Sequence, residues 1–75
     1  MELPHLLGRN VRRARVRAGI SQEELAFRAD MKRSYVSDLE RGTRNPSVKA
    51  VGRLAKALGV TPASLFKSDA DGTVE

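Results

Sequence analysis

The side chains in this sequence that could do chemistry are almost all cations or neutral hydrogen-bond formers. Lys and Arg total 14 against nine Asp and Glu, a formal charge of +5, and the sequence pI is near 10.5. Three of the nine acids, Asp69, Asp71 and Glu75, fall in the last seven residues; without residues 68–75, 14 cations face six acids, or +8. A domain that basic attracts polyanions, with nucleic acid first among them. Covalent and metal chemistry, by contrast, lack their residues. There are no cysteines and one histidine, His5, which excludes a thiol nucleophile, a disulfide framework and a zinc finger. Ser21 has no histidine base in its neighbourhood, so it reads as a helix cap and not as a nucleophile. No enzymatic activity, cofactor, metal or small-molecule ligand is expected.

The elements that must position those cations are helical. Seventy-five residues make one domain with a modest core, which a partner subunit would help. No apolar run reaches the ~20 residues of a membrane span and no export signal is visible, so a soluble, cytoplasmic protein is expected. Leu7, Val11, Ala14 and Ala18 form a stripe ending at Gly19, with Arg9, Arg12, Arg13, Arg15 and Arg17 on the other faces, a first helix with one buried side. Ser21-Gln22-Glu23-Glu24 is a capping box before Leu25, with Ile20 placed as a hydrophobic staple, and Asp30 ends the second helix. A third helix, about Arg33 to Arg41, turns Val36 and Leu39 inward and Ser34, Ser37 and Asp38 outward. Ser47 caps a fourth, with Val48, Val51, Leu54, Ala55 and Leu58 as its stripe, and Thr61-Pro62 opens a final turn or two holding Leu65 and Phe66, the fifth short helix. The expected fold is all-α, a compact bundle of five short helices. Its domain is placed at residues 1–67 with a core at 9–66, followed by a disordered tail at 68–75.

Two helices of about eight residues joined by a turn of three to four describe a helix-turn-helix, here at about 21–41. Ala26 and Ala29 allow the close crossing, and Leu25, Met31, Val36 and Leu39 fill the angle. The third helix is left with the outward face of polar, long-armed residues that a probe of the DNA major groove requires.

Ser-Gln-Glu-Glu-Leu-Ala, Leu-Glu-Arg-Gly, Arg-Asn-Pro-Ser and Leu-Ala-Lys-Ala-Leu-Gly-Val occur in that order and spacing. Over residues 6–67 the chain thereby resembles the lambda-repressor-like, Cro/repressor-type (XRE) helix-turn-helix transcriptional regulators. Leu-Ala-Phe-Arg, Arg-Ser-Tyr-Val-Ser and Glu-Arg-Gly-Thr-Arg-Asn look most like the controller proteins of restriction–modification systems. The resemblance implies a sequence-specific regulator binding double-stranded DNA as a homodimer on a pseudo-palindromic operator, with RNA polymerase as a further partner. It implies that Gln22 meets a phosphate at the groove edge, where the α-helix N-terminus also favours an anion. It places Lys32, Arg33, Ser34, Ser37 and Asp38 at outward recognition-helix positions, Arg33 being the natural guanine reader and Asp38 either an acceptor for a cytosine amino group or a water, or a repeller of phosphate that discriminates against wrong sites. Tyr35 matches a backbone-contacting position, and Arg41, Arg44 and Asn45 match residues that grip phosphates or reach a base. Arg15 and Glu40 match a pair tying the first helix to the end of the third. Asp30 stands where Gly is common, Lys32 where Ser or Thr is common, and Gly52 lies inside the fourth helix.

Bland readings compete with some of these. A five-arginine helix face is ordinarily solvated, Tyr35 can pack at the core edge, and His5 needs no functional role. Phe27, one residue off the buried stripe, is expected to be exposed, with a subunit or polymerase contact as its functional alternative. Leu58, Val60, Leu65 and Phe66 are more apolar surface than one short C-terminal helix can hide, which places a dimer interface there. An antitoxin-type protein–protein module is the second function class, and charge-driven RNA binding the third; three aromatics are few for an RNA reader.

Overall fold

The computed structural model describes residues 2–68. Four α-helices, α1 (Leu3–Ala18), α2 (Gln22–Ala29), α3 (Arg33–Glu40) and α4 (Val48–Leu58), precede a 3-10 turn at Pro62–Phe66. There is no strand among the described residues. The α-helices therefore number four among the described residues, and the fifth short helix, expected as a turn or two, is of 3-10 and not α type. Its Thr61 cap accepts from the Ser64 N–H, the Ser64 hydroxyl donates to the Thr61 carbonyl at 2.6 Å, and Lys67 is already extended. Five residues are too few to develop an i→i+4 ladder, and the tighter i→i+3 pattern takes their place.

The first helix starts at Leu3, ahead of the expected Leu7 stripe, with Pro4 in its first turn, where a missing N–H costs nothing. Leu6 and Leu7 are buried, so the core begins before the expected residue 9. The tail expected at 68–75 lies, beyond Ser68, outside the described residues.

The helix ends follow local chemistry. Ser21 and Ser47 accept from the N–H groups of Glu24 and Ala50, which satisfies donors that a helix start otherwise leaves orphaned. Lys32 makes no side-chain cap at the start of α3. Gly19 and Gly59 end α1 and α4 in the left-handed region, and Asp30 ends α2 there too, with φ 58° and ψ 52°. A short polar side chain tolerates that conformation better than most.

Leu25, Leu39, Leu54, Leu65, Val11 and Val36 are fully buried, and burying such a side chain contributes roughly 1.5–3 kcal/mol. Two contacts set the helix arrangement. A Cβ built on Gly8 of α1 would lie 2.3 Å from the Leu39 carbonyl oxygen and 2.9 Å from that of Glu40. Only glycine lets α1 approach the end of α3 that closely. Asn10 of α1 donates through Nδ2 to the carbonyls of Leu65 and Lys67, at 2.9 and 2.8 Å, and so pins the 3-10 turn.

That pinning corrects the expected dimer surface. Leu58 and Leu65 are buried in the chain's own core, because the turn folds back onto α1. Of the four expected residues, Val60 is half-buried and Phe66 is exposed. Phe66 borders a groove of about 190 Å³ with Leu3, Pro4, Leu7, Pro46 and Val51.

Candidate nucleic-acid interface

The helix-turn-helix is locked from behind by one buried carboxylate. Glu40, the last residue of α3, accepts from Arg15 Nε at 2.7 Å and Nη2 at 3.1 Å, and from Gln22 Nε2 at 3.1 Å. The third nitrogen of Arg15, Nη1, donates to the Ile20 carbonyl at 3.0 Å. The two side chains keep 13% (Arg15) and 3% (Glu40) of their surface exposed. One network thus joins α1, the turn after it, the start of α2 and the end of α3. The Glu40 hydrogen bonds hold the Arg15 pKa above its ordinary range, against the opposing effect of burial and helped by the Glu40 charge.

In front, the outward face of α3 is open. Lys32, Arg33 and Ser34 are exposed, and Tyr35, Ser37 and Asp38 are half-buried, while Val36 and Leu39 point into the core. Clefts flank the helix on two sides. One, of about 460 Å³, brings Arg33 together with Arg15, Ser21, Gln22 and Glu23 at the start of α2. The other, of about 430 Å³, lies toward α4, and its lining includes Lys32, Ser34, Tyr35, Arg44, Ser47 and Arg53. Arg44 stacks over the Tyr35 ring with its guanidinium carbon 4.5 Å from the centroid, within cation–π range. Asp38 accepts from Arg41 Nη2 at 2.5 Å and from Arg44 Nη2 at 3.5 Å. Asn45 is exposed and lines the apolar groove by Phe66, on neither of the two clefts.

The two clefts therefore bring Lys32, Arg33, Ser34 and Tyr35 together with Gln22 and Arg44, while Ser37, Asp38 and Arg41 line neither; they add Ser47, singled out in the sequence only as a helix cap, and Arg53, which was not singled out. Arg53 sits on the polar side of α4, a signal that helical periodicity could have supplied. Gln22 has one amide hydrogen committed to Glu40, leaving the other, together with the first-turn N–H groups of α2, available to an anion. Phe27 is exposed, as its position off the stripe implies. Among the described residues no group of three or more His, Cys, Asp or Glu could hold a metal. No helix there is long and apolar enough to cross a membrane.

A polar recognition helix braced by a second helix and flanked by cationic clefts defines a helix-turn-helix DNA-binding transcription regulator. The helix-turn-helix family model matches residues 11–65, and the chain belongs to that family. It is similar to control protein C.BamHI of Bacillus amyloliquefaciens, 45% identical over 71 residues, 93% of this chain and 88% of the other. The restriction-modification controller protein C.AhdI from Aeromonas hydrophila superposes with a TM-score of 0.82 at 43% identity, over 84% of this chain and 96% of that one. The controller protein C.Esp1396I, solved as a tetramer in complex with its natural 35 base-pair operator, superposes with a TM-score of 0.80 at 29% identity, over 88% of this chain and 87% of that one.

Proposed function

We propose that this protein is a sequence-specific transcription regulator of the restriction–modification controller type, binding operator DNA as a homodimer in the bacterial cytoplasm. The observation that carries the reading is the open polar face of α3 between its two clefts. A major groove about 12 Å wide admits one helix, and its two bordering strands then run along the clefts. Arg33 reads a guanine through O6 and N7, and Lys32, Ser34 and Ser37 line the same base edges. Gln22 with the start of α2 takes a phosphate on one strand. Tyr35, Arg41, Arg44 and Arg53 face the other strand, with Asn45 just beyond them. Arg15 and Glu40 act behind the interface and hold its two helices in register. Action is by occupancy at a promoter, through blocking or recruiting polymerase, with no chemical step.

The two-fold contact is built on Phe66 and Val60 with Leu3 beside the groove, and Leu58 and Leu65 support it from the core. A dimer places two α3 helices in successive major grooves, about 34 Å apart. Selection of bound fragments from random duplex DNA tests the whole reading. Recovery of an inverted repeat supports it, and the absence of any enriched sequence refutes it. Sedimentation checks the assembly, with a dimer expected on that repeat.

A further inference from the structure

Asp38 collects the segment that follows α3. Besides taking Arg41 and Arg44 on its carboxylate, it accepts on its main-chain carbonyl from the Thr43 N–H at 3.1 Å and the Thr43 hydroxyl at 3.0 Å. Three residues of that segment are thus tied to one residue of α3. The carboxylate keeps 31% of its side-chain surface exposed, and the guanidinium side chains of Arg41 and Arg44 keep 67% and 44%. Ion pairs that wet hold weakly and exchange their partners. A carboxylate between two guanidinium groups also occupies the position that a DNA backbone phosphate takes in an arginine clamp. The cluster therefore stores, within the free protein, contacts of the kind the interface must make to DNA.

Resting on the DNA-binding reading above, we infer that Asp38 is a specificity-determining residue, an internal counter-ion that withholds Arg41 and Arg44 from phosphate until an operator base takes their place. On a random duplex, leaving Asp38 for a phosphate replaces one anion by another and adds no net charge contact. The abandoned carboxylate then faces the major groove. Where the base there is cytosine or adenine, the exocyclic amino group donates to it. Both arginines then grip phosphate at no loss to Asp38. Where the base is guanine or thymine, the carboxylate meets O6, N7 or O4 acceptors, and the exchange is opposed. Asp38 thereby lowers affinity for wrong sites more than for the right one.

The test compares the wild type, Asp38→Asn and Asp38→Ala on two duplexes of equal length, one the sequence recovered by selection and one random, over a salt series. Asp38→Asn and Asp38→Ala should bind the random duplex about tenfold more tightly, with a salt slope steeper by about one unit. The ratio of operator to random affinity should fall by about the same factor. In a protein already carrying Arg41→Ala and Arg44→Ala, adding Asp38→Asn should bring no gain over that double variant. Thermal unfolding of each variant verifies that the fold is kept. Unchanged random-duplex affinity and slope in both Asp38 variants overturn the inference, while operator binding by the wild type leaves the DNA-binding reading standing. A gain that survives loss of both arginines also overturns it, since simple repulsion by Asp38 then accounts for the effect. A wild type with no salt-dependent binding to any duplex overturns both the inference and the reading beneath it.

Discussion

Glu40 and Asp38 stand two residues apart on α3, and each carboxylate is held by arginine. Glu40 is almost wholly enclosed and accepts three hydrogen bonds from two side chains on other helices. Asp38 is partly exposed and takes its cations from the segment just after it, three and six residues along the chain. The same pairing of charges has opposite uses in the two places. Removing one partner from an enclosed pair leaves a charge without water or counter-charge, so the pair cannot open while the fold persists. Removing one from a wet pair lets solvent or a phosphate take over. The rear of the recognition helix is fixed by this difference, and its front is left exchangeable.

Breaking the rear should have the largest effect. Arg15→Ala and Glu40→Ala should each lose about 3–5 kcal/mol of stability in urea unfolding, whereas Arg12→Ala, Arg17→Ala and Asp38→Ala should stay within about 1 kcal/mol of wild type. Similar losses for all five variants would dissolve the contrast. The pH dependence sharpens it. Glu40 raises the Arg15 pKa in the folded state, so the stability it contributes is complete below the unfolded-state pKa and disappears only as pH rises through the folded one. Because arginine titrates far into the alkaline range, the gap in urea midpoint between wild type and Arg15→Ala should be unaffected by Arg15 ionisation between roughly pH 6 and 9.

The α1–α3 contact behind the network comes next. Gly8→Ala places a methyl group against the Leu39 and Glu40 carbonyls, which are backbone and cannot turn aside. A loss of about 1–3 kcal/mol is expected, and the strain should spread into the Arg15–Glu40 geometry. A Gly8→Ala variant that melts like wild type would mean that α1 and α3 stand further apart than this contact requires.

Effects at the front should appear in binding, with stability touched only where a side chain also reaches the rear network. Arg33→Ala should lose about 1–3 kcal/mol of discrimination at one base pair per half-site. Gln22→Ala should weaken all duplexes alike, with base preferences retained, and should also cost some stability, because its amide bonds Glu40. Binding to every single-base variant of the operator separates the two. Wild-type preferences in Arg33→Ala would pass the reading role to Lys32, Ser34 or Ser37. The smallest effect belongs to Gly52, where an added Cβ meets nothing within 4 Å. Gly52→Ala should raise stability by up to about 1 kcal/mol, visible as a higher melting temperature with unchanged operator affinity.

Much of this molecule was legible one helix at a time. The Leu7–Val11–Ala14 stripe, the Ser21 and Ser47 caps, the Asp30 stop and the inward Val36 and Leu39 are all settled by neighbours within a few residues, where spacing and conformational preference act directly. The outward face of α3 followed from the same periodicity, and the pairing of Arg15 with Glu40 was reachable only through resemblance, since 25 residues separate them. What sequence periodicity could not supply was the use of each polar or apolar group once distant elements meet. Leu58 and Leu65 looked like surplus surface until Asn10 drew the last turn onto α1. Gly8 carried no signal until the α3 carbonyls came against it. Arg41 and Arg44 matched positions that grip phosphate or reach a base, and only the structure paired both with Asp38.

The sequence by itself thus determined the helices, their caps and the basic character of the chain, because those depend on local conformational energy and summed charge. The tertiary structure alone decided which carboxylate is locked and which can let go. Enclosure by other helices sets the dielectric around a charge, and residues far apart in the chain build that enclosure.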